Sequence, residues 1–118
     1  MNRTHASCIF CKIVTGDHPA EIVYRDNTVT AFRDINPVAP THILIVPNDH
    51  INSVNDAGTE DVQALGQLFL TAKSIAEGED VAETGYRLII NTGPHARQSV
   101  YHIHMHLIGG QYMKHEMG

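Results

Sequence analysis

His102-Ile103-His104-Met105-His106-Leu107-Ile108 is the stretch that decides how this chain is read. In an extended strand, side chains point alternately to the two faces. His102, His104 and His106 then share one face, with successive rings about 6.6 Å apart. Ile103, Met105 and Leu107 face an apolar layer on the other side. A helix would send His102 and His104 to nearly opposite sides, and the β-branched and apolar neighbours favour the strand. Three imidazoles in a row fill neither a core nor a solvated surface well, so the face points to chemistry. An imidazole nitrogen can attack an electrophilic phosphorus or carbonyl while its neighbours orient it and move protons. Alternatively, the rings can ligate a metal, and zinc held by all three would activate water. Asn91, Gly93 and Gln98-Ser99 precede the histidines. They supply an amide, a hydroxyl and backbone donors suited to an anionic phosphate oxygen.

Working outward, Tyr86 to Ile90 and Val100 to Ile108 read as the last two strands, joined by Thr92 to Gln98 with its Gly93-Pro94. His42 to Val46 is an almost wholly apolar run suited to a central strand, and Pro47 ends it. Ile22 to Tyr24 and Thr28 to Phe32 form a hairpin turning at Asp26-Asn27. Between hairpin and central strand, Pro37 and Pro40 exclude regular structure. Ser7 to Val14 reads as a short helix with Ser7 as N-cap, Ile9, Phe10 and Ile13 on one face, and Gly16 beyond its end. A long helix starts at a Thr59 cap. Val62, Leu65, Phe69, Ala72 and Ala76 form its apolar stripe, widened by Leu68 and Ile75, with Gly78 as the stop. The order predicts an α+β fold: a mostly antiparallel five-stranded sheet with one long and one short helix.

The chain has 118 residues, 42% of them apolar and 18% charged, without repeat or linker. A single domain over residues 1–118 is expected, with 1–7 as an N-terminal arm and 111–118 as a tail. The formal charge of −5 argues against a nucleic-acid or acidic-membrane surface. No apolar run approaches the ~20 residues of a membrane helix. Met1 to Ser7 lacks the apolar core of a secretion signal, so a cytoplasmic protein is expected. Nine histidines are unusual for this length, and protonating them all would turn the charge positive.

Cys8 and Cys11 form Cys-x-x-Cys. A redox motif of this spacing should follow a strand in a βαβ unit, whereas only a short polar arm precedes Cys8. A disulfide does not suit a cytosolic chain. Zinc fits better, and His50 with one histidine of the row can complete a Cys₂His₂ tetrahedron. Two buried thiols without metal are the plainer reading.

His102 to Ile108, with Gln98-Ser99-Val100-Tyr101 before and Gly109-Gly110 after, resembles the signature of the histidine-triad (HIT) nucleotide-binding family. Ala31-Phe32-Arg33-Asp34-Ile35-Asn36-Pro37-Val38-Ala39-Pro40-Thr41-His42 resembles the family's stretch around its ribose-binding acid and fourth histidine. The likeness runs from Ile9 to Gly110 and is greatest to the purine nucleoside phosphoramidase branch. It implies a HIT-like fold whose sheets join across a two-fold homodimer. It implies that His104 attacks the α-phosphorus of a nucleoside 5′-phosphoramidate or adenylated amine and forms a covalent nucleotidyl-histidine. Water then releases a purine nucleoside monophosphate. His106 would contact phosphate or the departing amine, His42 would set the protonation of the nucleophile, and His102 completes the catalytic row. Asp34 would bind ribose, as a carboxylate can accept two hydrogen bonds from a diol. Asn91 and Ser99 would bind phosphate or leaving-group atoms, and Gln98 and Val100 would also contact the nucleotide. Ile9, Phe10, Ile13, Phe32, Ile35 and Leu44 would form the base pocket, with Arg33 near the base edge. Related bacterial proteins pair Cys-x-x-Cys with a histidine after the third long strand and the first triad histidine. By position that gives Cys8, Cys11, His50 and His102 as structural zinc ligands. A non-catalytic nucleotide-binding protein is the remaining alternative.

The chain departs from this branch in two places. Pro94-His95-Ala96-Arg97 stands where glycines usually precede Gln-Ser, and the tail Gln111 to Gly118 has no Trp.

Overall fold

The computed structural model describes residues 3–118, so the first two residues of the arm, with that part of the secretion-signal reading, lie outside it. Five strands form one sheet: β1 (Ile22–Arg25), β2 (Val29–Arg33), β3 (Thr41–Pro47), β4 (Tyr86–Ile89) and β5 (Met105–Gly109). The order is β1-β2-β3-β5-β4, antiparallel throughout. Helices α1 (Ile9–Thr15) and α2 (Val62–Gly78) cover opposite faces. The predicted α+β architecture is therefore present.

Strand alternation sorts the core into two layers. Val29, Ala31, Ile43, Ile45, Met105 and Leu107 pack with Leu68, Ala72 and Ile75 of α2. Phe32, Leu44 and Val46 pack with Phe10, Cys11 and Ile13 of α1. β3 is buried along its whole length, which explains its nearly unbroken apolar sequence. Phe32 pairs with Leu44, and Leu44 with His106, so an apolar row on the α1 face runs straight into the histidines.

Several boundaries differ from the sequence reading. The N-cap of α1 is Cys8, not Ser7: its Sγ accepts the Cys11 N–H at 3.3 Å. A single 3₁₀ turn, Thr59–Asp61, precedes α2, and Asp61 is the cap residue. The buried stripe of α2 is also rotated from the expected one. Leu68, Thr71, Ala72, Ile75 and Ala76 are buried, while Val62 and Phe69 are 66% and 53% exposed. At 3.6 residues per turn, Val62 and Phe69 lie about 100–120° around the helix from Leu68, beyond the arc that meets the sheet. The helix ends at Gly78 as expected, and the left-handed turn that closes it follows two residues later. Asp80 adopts φ 61°, with the Asp80 N–H on Glu77 O and the Val81 N–H on Ala76 O. This left-handed closure tucks Val81 into the core.

The last strand is shorter than Val100 to Ile108. Its ladder begins at Met105, opposite Ile45, although β3 itself continues to Pro47; β4 ends at Ile89, opposite His106. The Ile103 N–H instead donates to Ile51 O at 2.7 Å, in the loop after β3. Alternation survives without the ladder, and Ile103 is buried opposite the rings.

Candidate active site and metal centre

The three rings do share the α1 face. His104 and His106 have ring centroids 5.0 Å apart, and Phe10 of α1 meets the rings of both His102 and His104 edge-on. Their surroundings nevertheless divide the row in two.

His104 and His106 line a cavity of about 320 Å³, near the small end of ligand pockets. Ile9, Phe10, Ile13, Phe32, Leu44 and Val100 give it an apolar wall; Asp34 and Ser99 add polar groups. Ile35 also lines it but is 89% exposed, at the mouth rather than in the wall. Asn91 and Gln98 lie outside the lining. Gln98 is a loop clamp: its Oε1 accepts the Gly93 N–H, and its Nε2 donates to Asn52 O and Val100 O. Arg33 reaches the cavity edge, but its guanidinium is forked onto Glu79 at 2.8–2.9 Å and its Nε bonds Glu21. His18, Pro19, Ala20 and Asn36 also line the cavity and were not picked out from sequence. Asn36 could have been found from its place two residues after Asp34, whereas the His18–Ala20 bend carries no pattern.

Hydrogen-bond partners assign the tautomers. His104 Nδ1–H donates to the carbonyl of His102 at 2.8 Å, leaving Nε2 with the lone pair. His42 Nδ1 accepts the Val38 N–H at 3.1 Å, so its proton sits on Nε2. That Nε2–H donates to His106 Nδ1 at 2.9 Å, and His106 keeps its own proton on Nε2. Asp34 Oδ2 lies 3.4 Å from His42 Nε2, and Asp34 Oδ1 accepts the Asn36 N–H. His42 thus bonds His106 and does not line the cavity. Burial lowers the pKa of His42, against the pull of Asp34, and of His104; it pushes His106 down to about 4. With their pKa values lowered the three rings favour the neutral form at pH 7, so the free nitrogen of His104 needs no deprotonation to offer its lone pair.

His102 belongs elsewhere. Its ring is fully buried, its Nε2–H donates to Pro47 O at 2.8 Å, and its Nδ1 faces the cysteines. The expected catalytic role is therefore not open to it: neither nitrogen reaches the cavity. Burial drives its pKa down to about 4. Cys8 Sγ is 3.4 Å and Cys11 Sγ 3.6 Å from His102 Nδ1, and Cys11 Sγ is 3.4 Å from His50 Nδ1. With Zn–S bonds near 2.3 Å and Zn–N near 2.05 Å, the S···N edge of a tetrahedron is about 3.5 Å. All four ligand atoms lie within 4.8 Å of one another. Asn52 Oδ1 takes the His50 Nε2–H at 2.7 Å, so both rings turn a lone pair inward and a proton outward, as metal-bound imidazoles do. Burial pushes the Cys11 thiol up to about 11, which a dication between the sulfurs would reverse. The four residues named from sequence fit a structural metal. Asp34, His42 and His106 also cluster, but among the described residues no such cluster includes His104. That speaks against zinc held by all three triad rings.

The family described as "HIT domain" matches residues 15–113. This chain belongs to the HIT family. Over 103 residues it is 59% identical to a protein of Escherichia coli named "Purine nucleoside phosphoramidase", with 87% of each chain covered. It is 50% identical to the "14 kDa zinc-binding protein" of Zea mays, over 89% of this chain and 83% of that one. A HIT family hydrolase from Clostridium thermocellum superimposes with a TM-score of 0.93 at 43% identity, covering 97% and 99% of the two chains. The HIT fold expected from the triad is thus the fold observed, and the chain is an enzyme of this family.

Proposed function

We propose that this HIT enzyme cleaves nucleoside 5′-phosphoramidates or adenylated amines through a covalent nucleotidyl-histidine on His104. The observation that carries the reading is the His104 ring, tied through Nδ1–H to His102 O with its Nε2 lone pair at the cavity. Nε2 attacks the α-phosphorus, the bond to the amine breaks, and Nδ1 becomes part of a cationic ring. The His102 carbonyl stabilises that charge. His106 directs its Nε2–H at a phosphate oxygen or the departing nitrogen. Water then attacks the same phosphorus and releases the monophosphate, splitting one hard displacement into two easier ones. Asp34 stands at the rim as the ribose partner, Ser99 as a phosphate contact, and the apolar wall receives a purine. The phosphoramidase named among the relatives supports the substrate class.

Cys8, Cys11, His50 and His102 hold zinc in this reading, which fixes α1 to the histidine segment and takes no chemical part. Exposed Val62 and Phe69, with β4 at the sheet edge, suit a second copy of the chain, so the protein acts as a homodimer. Among the described residues no helix is long and apolar enough to cross a membrane. Zinc-bound thiolates at Cys8 and Cys11, in place of a disulfide, suit a reducing compartment such as the cytoplasm. The test is an acid quench during turnover of adenosine and guanosine phosphoramidates. A nucleotidyl-protein adduct should appear and be absent in His104→Ala. Turnover without any adduct would exclude the covalent route, and monophosphate binding without turnover would mark a non-catalytic binder.

A further inference from the structure

The segment Arg3 to His5 carries no helix or strand, yet Arg3 and His5 are tied down through backbone and side chain alike. Arg3 O accepts the N–H of His50 at 2.7 Å, and the Arg3 N–H donates to Asp49 Oδ1 at 2.7 Å. The Arg3 guanidinium lies 2.6 Å from Oδ1 of Asp61, a carboxylate only 4% exposed at the entrance to α2. Asp61 Oδ2 in turn takes the Gly58 N–H. The His5 N–H points at Cys11 Sγ, 3.4 Å away, and His5 O accepts the Cys8 N–H at 3.0 Å. The His5 ring stacks on that of His50, with centroids 4.9 Å apart and planes at 26°.

These contacts have a common target. His50 sits in a loop without regular structure, so neither helix nor sheet fixes its ring. Its backbone N–H, its ring face and the neighbouring Asp49 are all held by the arm. Cys11 receives an N–H on sulfur, the kind of bond that strengthens when sulfur carries negative charge. We propose that Arg3 and His5 form the outer shell of the metal centre, with Arg3 anchoring the arm to α2 so that His5 and the backbone position His50 and Cys11. The inference rests on reading Cys8, Cys11, His50 and His102 as that centre. Outer-shell groups of this kind typically change metal affinity by about 10–100-fold.

The test titrates metal-free full-length protein with Co²⁺ against a competing chelator. Arg3→Ala should weaken binding about 10–100-fold. His5→Pro, which removes the N–H, should do the same and shift the sulfur-to-cobalt charge-transfer band. His5→Ala keeps the N–H, loses the stacked ring and should weaken binding less, with the band unmoved. Melting of the metal-free variants provides the control. Wild-type affinity in Arg3→Ala and His5→Pro, or a fall in metal-free stability with affinity unchanged, would overturn the arm's role while leaving the centre intact. A wild-type protein that binds no Co²⁺ would remove the centre itself, and the arm's role with it. Should His5→Pro fail to fold, the affinity ratio for Arg3→Ala decides.

Discussion

His102 and His104 stand two residues apart on one face of the same segment, and their surroundings are opposite. His102 has both nitrogens committed, one to Pro47 O and one toward two sulfurs, in a ring with no exposed surface. His104 has one nitrogen committed and the other at a cavity. Residue type is identical and burial differs little. In the roles proposed for them, what separates a structural histidine from a reactive one is how many of its nitrogens the surrounding backbone and side chains consume.

The strongest way to break this contrast is to remove each ring in turn. His104→Ala should lower turnover at least about a thousand-fold while monophosphate binding persists. His102→Ala should lose metal and with it about 3 kcal/mol or more of stability, the linkage expected for a tightly held ligand. Thermal melts with and without chelator read the second effect. Equal losses of stability in both variants would erase the distinction.

Acid titration sharpens it at the cavity end. Burial holds His106 at about 4 and lowers His42, whereas in the unfolded chain both titrate near 6.5. Between those values the unfolded chain binds more protons than the folded one, so stability falls as pH drops from about 6.5 toward 4 and is level above it. Melting temperatures across that window should decline, and His106→Gln should flatten the decline. An unchanged slope would place the proton uptake at other residues.

The smallest effect concerns Gln98. As a clamp, Gln98→Ala should cost about 1–2 kcal/mol by orphaning Gly93 N–H and two carbonyls, with KM nearly unchanged. A phosphate ligand would show the reverse: a raised KM and little change in melting.

Those contrasts also show what a sequence reveals. Alternation is a local property of two-residue period, so the shared face of His102, His104 and His106 was legible even though the ladder starts only at Met105. The apolar wall was legible too, because Phe32, Leu44 and His106 are neighbours by strand register. Consumption of donors was not. Gln98 looked like a phosphate ligand because nothing in its neighbours tells that Asn52 and Val100 take its protons. The rotation of α2 was missed because Val62 and Phe69 continue the apolar spacing while lying outside the arc that touches the sheet. Arg3, silent in sequence, matters only because Asp49 and Asp61 are brought beside it from far along the chain.

Cys8 and His102 meet across 94 positions, and Cys11 and His50 across 39. The cluster therefore draws on the opening helix, a mid-chain loop and the final segment. A polypeptide emerging from the ribosome cannot bring these four residues together until residue 102 has been made. If the cluster holds zinc as proposed, the ion is acquired only after residue 102 is made, and a nascent chain that stalls short of it leaves Cys8 and Cys11 without His102.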